Sequence, residues 1–367
     1  MREKILMVSC DGMGKGGVQA VIMNTVRNLN QKYNFDIVLF TKDKRFYEAE
    51  FESLGGKIFR IPKPSETGFP FKRYDYFFRG PYYYFKLLKI LKNNGPYTAI
   101  HCHNNFEAGI CLKAAKKAKI PVRISHQHTI CSNSGRLKKI YDKIYLKKIK
   151  KYSTHRLGCS EETCRSWFGN ANAIVVNNSY DDNCFDSSKY SFKVFKEPIL
   201  TQIASFSENK NQLFSLSVVN EIKKKYPTVK LNLIGFDGGT GYLSKIENSI
   251  MALGLESNII IHPSDADSPK ILNESNAFIF PSQKEGFGIV LIEAQAMGVR
   301  CYTSDSVPKS TNCGGVEYLS LNLSPSIWAD KIISDFEKYS HIRNSYVCEE
   351  FALKNVIEKY KKIYRGK

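Results

Sequence analysis

No stretch of the sequence approaches the roughly 18 consecutive apolar residues of a membrane-spanning helix, so a helical integral membrane protein is not expected. Met1-Arg2-Glu3-Lys4 leads into only about six apolar residues before Asp11, too few for the core of a secretory signal. The ten cysteines make no CxxC pair and no ligand cluster with histidine, which removes the disulfide-scaffold and zinc-finger classes. Reduced thiols and a cytoplasmic protein are the expectation. Acidic side chains are scarce as well: 35 Asp and Glu against 54 Lys and Arg leave a formal net charge of +19. That excess points to a polyanionic partner, which could be nucleic acid, an anionic membrane surface or a phosphate-bearing substrate, and charge alone does not choose among them. No recognisable nucleic-acid motif accompanies it, so nucleic acid is not expected as a partner.

What the chain does have is enough length and apolar content for two cores, with 367 residues and 43% hydrophobic side chains against a usual ~100 to 200 residues per domain. Lys4 to Cys10 reads as a first strand, followed by the turn Gly12-Met13-Gly14-Lys15-Gly16-Gly17 and a helix with Val18, Val21, Ile22, Val26 and Leu29 at helical spacing. This opens a doubly wound α/β domain. Gly12, Gly14 and Gly17 satisfy the G-x-G-x-x-G dinucleotide pattern, and a nicotinamide-dependent oxidoreductase is one reading of them. The pattern is weak here because Phe35 to Phe40 runs into Thr41-Lys42 rather than an acid. Aromatic and basic residues interleave from Phe69 to Leu91, as rings packed in the core or as a stacking or lipid-facing surface. Between Arg136 and Arg156, nine basic residues meet one acid, Asp142, with Ile140, Ile144, Tyr145 and Ile149 as an apolar stripe. That segment is either a helix on a membrane face or a solvated helix packed by the stripe.

His101 and His103 end one strand-like segment, and His126 and His128 end another, where ligands of open α/β sheets collect. A zinc site from the four is conceivable. With no acidic or cysteine partner at ligand spacing, no metal ligands are assigned. Asp265-Ala266-Asp267 has the form of a metal-binding Asp-x-Asp and is read as a loop.

The most informative stretch runs from Pro281 to Gly298. Ala277 to Phe280 is a short buried strand closed by Pro281, and Ile289, Leu291, Ile292 and Ala296 recur at helical spacing after it. In such a strand, Gly-containing loop and helix, the amides of Gly286, Phe287, Gly288 and Ile289 face an anion before the helix, with a phosphate or pyrophosphate as natural occupant. Glu285 and Glu293 flank that site as hydroxyl acceptors, a form that suits a nucleotide sugar; an ordinary surface Glu plus a helix-start Glu is the plainer alternative.

The string Glu285-Gly-Phe-Gly-Ile-Val-Leu-Ile-Glu293-Ala-Gln-Ala-Met-Gly298 resembles the Glu-x7-Glu signature of retaining family 4 glycosyltransferases of the GT-B fold. The resemblance implies two Rossmann-like domains facing a cleft, with boundaries expected at 1–180, a linker 181–197, a nucleotide-sugar domain 198–345, and a segment 346–367 whose helix crosses back to the first domain. It implies that Glu293 accepts from the nucleoside ribose and Glu285 from a sugar hydroxyl. Ser207 to Asn211 resembles the family's phosphate-binding turn, so Lys210 lies against the donor pyrophosphate. The usual arginine five residues earlier is replaced by Ser205, which leaves phosphate neutralisation to Lys210 and the helix amides. Gly16 and Gly17 match glycines that let the backbone approach the ligand, and His126 matches a histidine that contacts the donor sugar, with His128 as the near alternative. The implied catalytic set is therefore His126, Glu285 and Lys210, with no metal and no cofactor beyond a UDP- or GDP-linked sugar. The implied acceptor is a glycan or lipid-linked molecule of bacterial capsular or exopolysaccharide synthesis, met at an anionic membrane surface. A non-catalytic nucleotide-sugar-binding protein remains a second reading because of Ser205.

Overall fold

In a computed structural model of the chain, the described residues are 2–366 except 11, 15, 68–74, 132–135, 170, 171, 343, 345 and 347. Lys15 and the aromatic and basic residues from Phe69 to Tyr74 lie outside them. The side chains of residues 75–78 and 136–139 also lie outside the description.

The chain divides into two compact units, Met1–Ser179 with Leu353–Lys367, and Tyr180–Ala352. The segment 181–197, expected as a linker, therefore groups with the second unit, and the stretch that joins the first unit from the far end begins at Leu353 rather than at 346. Helical structure there starts at Leu353, after the short turn Glu349–Phe351, because Ala352 is held extended by a bridge to Tyr180.

The first unit is a seven-stranded parallel sheet built from β1 (Glu3–Ser9), β2 (Tyr33–Leu39), β3 (Lys57–Arg60), β4 (Ala99–Cys102), β5 (Val122–Gln127), β6 (His155–Gly158) and β7 (Ile174–Val175). Their order is β3-β2-β1-β4-β5-β6-β7, so the chain reverses direction across the sheet between β1 and β4. Both faces are covered, which is why β1 reads as an unbroken apolar run. Ile5 and Met7 go to one core and Leu6 and Val8 to the other, the period-2 alternation of a strand. The helix Leu353–Tyr364 closes the first of these cores with Val356, Ile357, Tyr360, Ile363 and Tyr364. Tyr364 meets Tyr33 edge-on at 5.5 Å.

Two surface helices carry the basic segments. In Asp75–Asn94, Tyr83 is buried and stacks on Phe40 at 4.1 Å, while Phe85 is 67% exposed. In Arg136–Tyr152, Tyr141, Tyr145 and Ile149 point inward at i, i+4 spacing. Ile140 and Ile144, 61% and 47% exposed, share the outer face with Lys143, Lys147 and Lys151. The apolar stripe expected as one face thus divides, two of its members packing the core and two remaining on the basic surface.

The second unit is a six-stranded parallel sheet of β8 (Ile199–Ile203), β9 (Lys230–Gly235), β10 (Ile259–Pro263), β11 (Ala277–Phe280), β12 (Arg300–Ser304) and β13 (Val316–Leu319), ordered β10-β9-β8-β11-β12-β13. Ile279 faces one core and Phe278 and Phe280 the other. The order reverses between β8 and β11. A crevice at the carboxyl ends of those two strands is where open α/β sheets hold their ligands.

Candidate functional site

At that reversal point the second unit brings together the two loops singled out in the sequence. After β8 the chain makes a short turn, Glu208–Lys210, and enters the helix Gln212–Lys223 through Asn211 in the left-handed region at φ 55°. After β11 it passes through Glu285 to Gly288, at φ +85°, and enters the helix Ile289–Ala296. The loops are tied to each other: the Gln283 amide donates to the Asn209 carbonyl at 2.8 Å, and Asn209 Nδ2 donates to the Lys284 carbonyl at 2.9 Å. Lys210 Nζ donates to Glu285 Oε2 across them, with both side chains largely buried. Gln202 on β8 accepts from Ser215 and donates to the Lys210 carbonyl at 2.8 Å, which fixes the turn that carries the lysine.

The helix Ile289–Ala296 starts where its first amides have no intrahelical acceptor. Gly288 at its head needs a positive φ that a side-chain-bearing residue adopts only with strain. Phe287 is buried and meets Phe351 edge-on at 5.8 Å, so it anchors the loop while its backbone remains available. Gly286 N donates to Glu285 Oε1 at 3.2 Å. One carboxylate therefore faces both the cation and the amide cradle. An anion arriving there would meet Lys210 and the helix dipole together.

Glu293, one turn into the helix, retains some exposure, yet burial pushes its carboxyl up to about 7 and the negative charge of Asp181 adds to the effect. Near neutrality it is both donor and acceptor for a hydroxyl. Asp181 was not singled out in the sequence, because nothing in the unpatterned segment 181–196 ties it to Glu293. Asn209 and Gln283 were missed too; Gln283 acts through its amide and Asn209 through its carbonyl and its side chain onto a backbone carbonyl, contacts that no spacing in the sequence announces. Ser205 stands where a cation was expected, and its carbonyl accepts from Gln212 Nε2 at 3.0 Å. Asp267 caps the helix Ser268–Asn273 by accepting from the Lys270 amide at 3.1 Å, which gives half of the Asp-x-Asp pair a local structural role.

In the first unit, Gly16 precedes the helix Gly17–Leu29 in an extended conformation. A Cβ on Gly16 would lie 2.3 Å from Gln19 Oε1, whereas one on Gly17 would meet nothing within 4 Å. The four histidines come together in one buried cluster, with His126 only 1% exposed. His101 Nε2 lies 3.2 Å from His126 Nδ1 and His103 Nδ1 2.9 Å from His128 Nε2. Burial holds the His101, His103 and His126 rings well below the ordinary imidazole range and brings His128 to about 4, so all four are neutral at pH 7. Among the described residues no helix is long and apolar enough to cross a membrane.

Residues 186–311 match the family described as Glycosyl transferases group 1, and residues 15–181 match Glycosyltransferase Family 4. The capsular polysaccharide biosynthesis glycosyltransferase CapH of Staphylococcus aureus is 27% identical, with 97% of each chain covered. EpsF of Bacillus subtilis strain 168, which carries a provisional glycosyltransferase name, is 28% identical over 90% of this chain and 87% of its own. Among solved structures, Anabaena HepE in complex with UDP and glucose superposes with a TM-score of 0.75 at 15% identity, covering all of both chains. WaaG, a glycosyltransferase involved in lipopolysaccharide biosynthesis, gives 0.70 at 14% identity over 99% of this chain and all of its own.

Proposed function

Since this chain belongs to the group 1 glycosyltransferases of the GT-B fold that serve bacterial polysaccharide biosynthesis, we propose that it moves a sugar from a nucleoside diphosphate donor with retention of anomeric configuration. The observation that supports this reading is the lock between the loops after β8 and β11, which brings Lys210 against Glu285 beside the head of the helix Ile289–Ala296.

The chemistry follows from that geometry. The bond from the sugar C1 to the diphosphate oxygen breaks, and the acceptor oxygen bonds to C1 on the same face. The acceptor's proton passes to the phosphate oxygen that has just lost the sugar. Negative charge grows on the departing diphosphate, which Lys210 and the helix amides would stabilise; each well-placed donor is worth about 3 kcal/mol or more of barrier. That positive potential is the reason no metal is needed on the diphosphate. Glu285 shares Lys210 with the incoming phosphate and accepts from a sugar hydroxyl, and Glu293 binds the ribose. His126 orients the transferred sugar rather than acting as a base.

A thermal-shift panel of UDP, GDP, ADP, CMP and NAD on wild type and Glu293→Ala tests this. Stabilisation by one nucleoside diphosphate, lost in the variant, is expected. Lys210→Ala is expected to lower transfer by about 100-fold or more. Wild-type rates in both variants would end the reading, and an NAD shift indifferent to Glu293 would move the site to the turn at Gly12 to Gly17. Binding without turnover would favour the non-catalytic alternative that Ser205 leaves open.

The acceptor is proposed to be a glycan or lipid-linked molecule at an anionic membrane surface. The outer face of Arg136–Tyr152, with Ile140 and Ile144 among Lys143, Lys147 and Lys151, supports that choice. Co-flotation with phosphatidylglycerol vesicles is expected at low salt and is expected to fail in Ile144→Glu/Lys147→Glu. Indifference of the wild type to vesicles would remove the membrane from the proposal.

A further inference from the structure

The histidine cluster of the first unit has so far only the sugar-orienting role given to His126, and a ligating role is the alternative to it, because an ion on Nε2 and Tyr360 beside Nδ1 leave that ring no nitrogen for a sugar. β4 and β5 are parallel neighbours in the register Cys102↔Ser125, so His103 and His126 follow one step beyond it. His101 and His103 project from the same face as His126 and His128, while Cys102 between them turns to the opposite core. The result is a packed imidazole layer: the His101 and His103 centroids are 4.1 Å apart, as are those of His126 and His128.

One hydrogen bond of the layer is internal, between His101 Nε2 and His126 Nδ1 at 3.2 Å, and the rest tie the rings to one another's edges and outward. Asn178 Oδ1 lies 3.1 Å from His128 Nδ1, so that nitrogen carries the proton and donates. His128 Nε2 must then accept, and the proton between it and His103 belongs to His103 Nδ1. His103 Nε2 is left as a bare lone pair. His101 Nδ1 lies 2.9 Å from the Tyr364 hydroxyl and His126 Nδ1 lies 3.4 Å from that of Tyr360. Each of the three rings thus has its Nδ1 beside an outer partner. The Nε2 atoms of His103 and His126 are buried with no hydrogen-bond partner, although the Val176 carbonyl is close enough to favour the protonated His126 ring. Each such nitrogen carries a desolvation cost until a ligand fills it, as do other buried polar atoms such as Ser9 Oγ and Gln127 Oε1.

We propose that His101, His103 and His126 form a binding site for one zinc-class transition ion. One ring nitrogen from each lies within 4.8 Å of the other two. Tetrahedral Zn–N bonds would bring them to roughly 3.4 Å, a contraction of about 1.4 Å at most, shared between two rings. Outer partners on Nδ1 are the arrangement that fixes the tautomer and aim of ligating histidines, and here Tyr364, His128 with Asn178, and Tyr360 fill that place. An all-imidazole set with no carboxylate suits zinc, cobalt, nickel or copper and rejects magnesium, calcium and manganese. A fourth position is left for water. Because Tyr360 and Tyr364 belong to the helix Leu353–Tyr364, the ion would clasp β4 and β5 to the far end of the chain. Spacing alone offers no reason to choose this set, since it shows two H-x-H pairs and not their convergence.

The test does not depend on turnover or on the donor reading. Full-length protein is stripped with dipicolinate and titrated with Co²⁺, then with Zn²⁺. The expected result is a single equivalent of cobalt with visible ligand-field bands, displaced by zinc, together with a rise of several degrees in the melting temperature on adding one equivalent of zinc. His103→Gln is expected to lose the bands with an unchanged far-UV spectrum, while His262→Gln, altered in the other unit, keeps them. Should His103→Gln fail to fold, zinc-induced shifts of the cluster's imidazole nitrogens in ¹⁵N-histidine spectra of wild type carry the decision. No cobalt band in wild type, or a band that survives in folded His103→Gln, would overturn the proposal and leave the cluster as four stacked neutral rings.

Discussion

Glu293 is the residue whose chemistry departs furthest from what its position in a motif implies. A carboxyl raised to about 7 binds a proton in the folded chain at pH values where the unfolded chain has released it, so ionisation works against folding as pH rises from about 4.5 through 7. Glu293→Gln is therefore expected to stabilise the second unit by about 1–3 kcal/mol above pH 7 and by nothing below about pH 4.5, read from urea midpoints across that range. On the proposed ribose-binding role of Glu293, the same variant should also weaken nucleoside diphosphate binding, since an amide cannot become a carboxylate. Glu285 and Glu293 stood out because they sit in a string with a fixed spacing, and Lys210 because its turn resembles the family's phosphate-binding turn. Asp181 was not, because its effect on Glu293 is a through-space charge from a segment without periodicity. The histidines were legible as strand-end residues, but their depressed basicity is a product of burial that no local pattern announces.

Among the elements, the loop and helix from Pro281 to Ala296 were readable in detail: the buried run Ala277–Phe280, the glycine turn and the apolar periodicity each have a local cause. Gly288 at φ +85° is the hinge of that element, and a Cβ there would stand 3.5 Å from both Glu285 Cγ and Val307 Cγ1. Space is adequate, so the penalty is backbone strain. Gly288→Ala is expected to cost about 1 kcal/mol of stability and to weaken diphosphate binding more than that, by turning the amide cradle away from the anion; equal binding by calorimetry would show the cradle is not the site. The basic helix Arg136–Tyr152 was readable as a helix but not as to which apolar residues it buries. Tyr141 and Tyr145 stack at 4.1 Å on the inner side, a choice made by the neighbouring helix Ala108–Lys117 and invisible in the helix's own sequence.

At the scale of the molecule, two doubly wound units followed from the alternation of strand-like and helix-like segments, and the return of the last helix to the first unit followed only from resemblance. Val356, Ile357, Tyr360, Ile363 and Tyr364 contribute a full side to the first unit's core, so a chain truncated after Ala352 is expected to leave that core open. Dye binding to exposed apolar surface and loss of cooperative melting of the first unit are the expected readouts, with the second unit's transition retained; a first unit that melts normally would show the helix to be dispensable. The same feature sets an order of events during synthesis. The first unit is translated first yet cannot complete its core until all of Tyr180–Ala352 has been made. At bacterial-to-eukaryotic elongation rates that interval is roughly 10 to 35 s. For that time Ile5, Tyr33 and Phe35 wait beside the nascent chain for a helix that does not yet exist, and chaperones that shield unfinished sheets on the ribosome would find their binding site there.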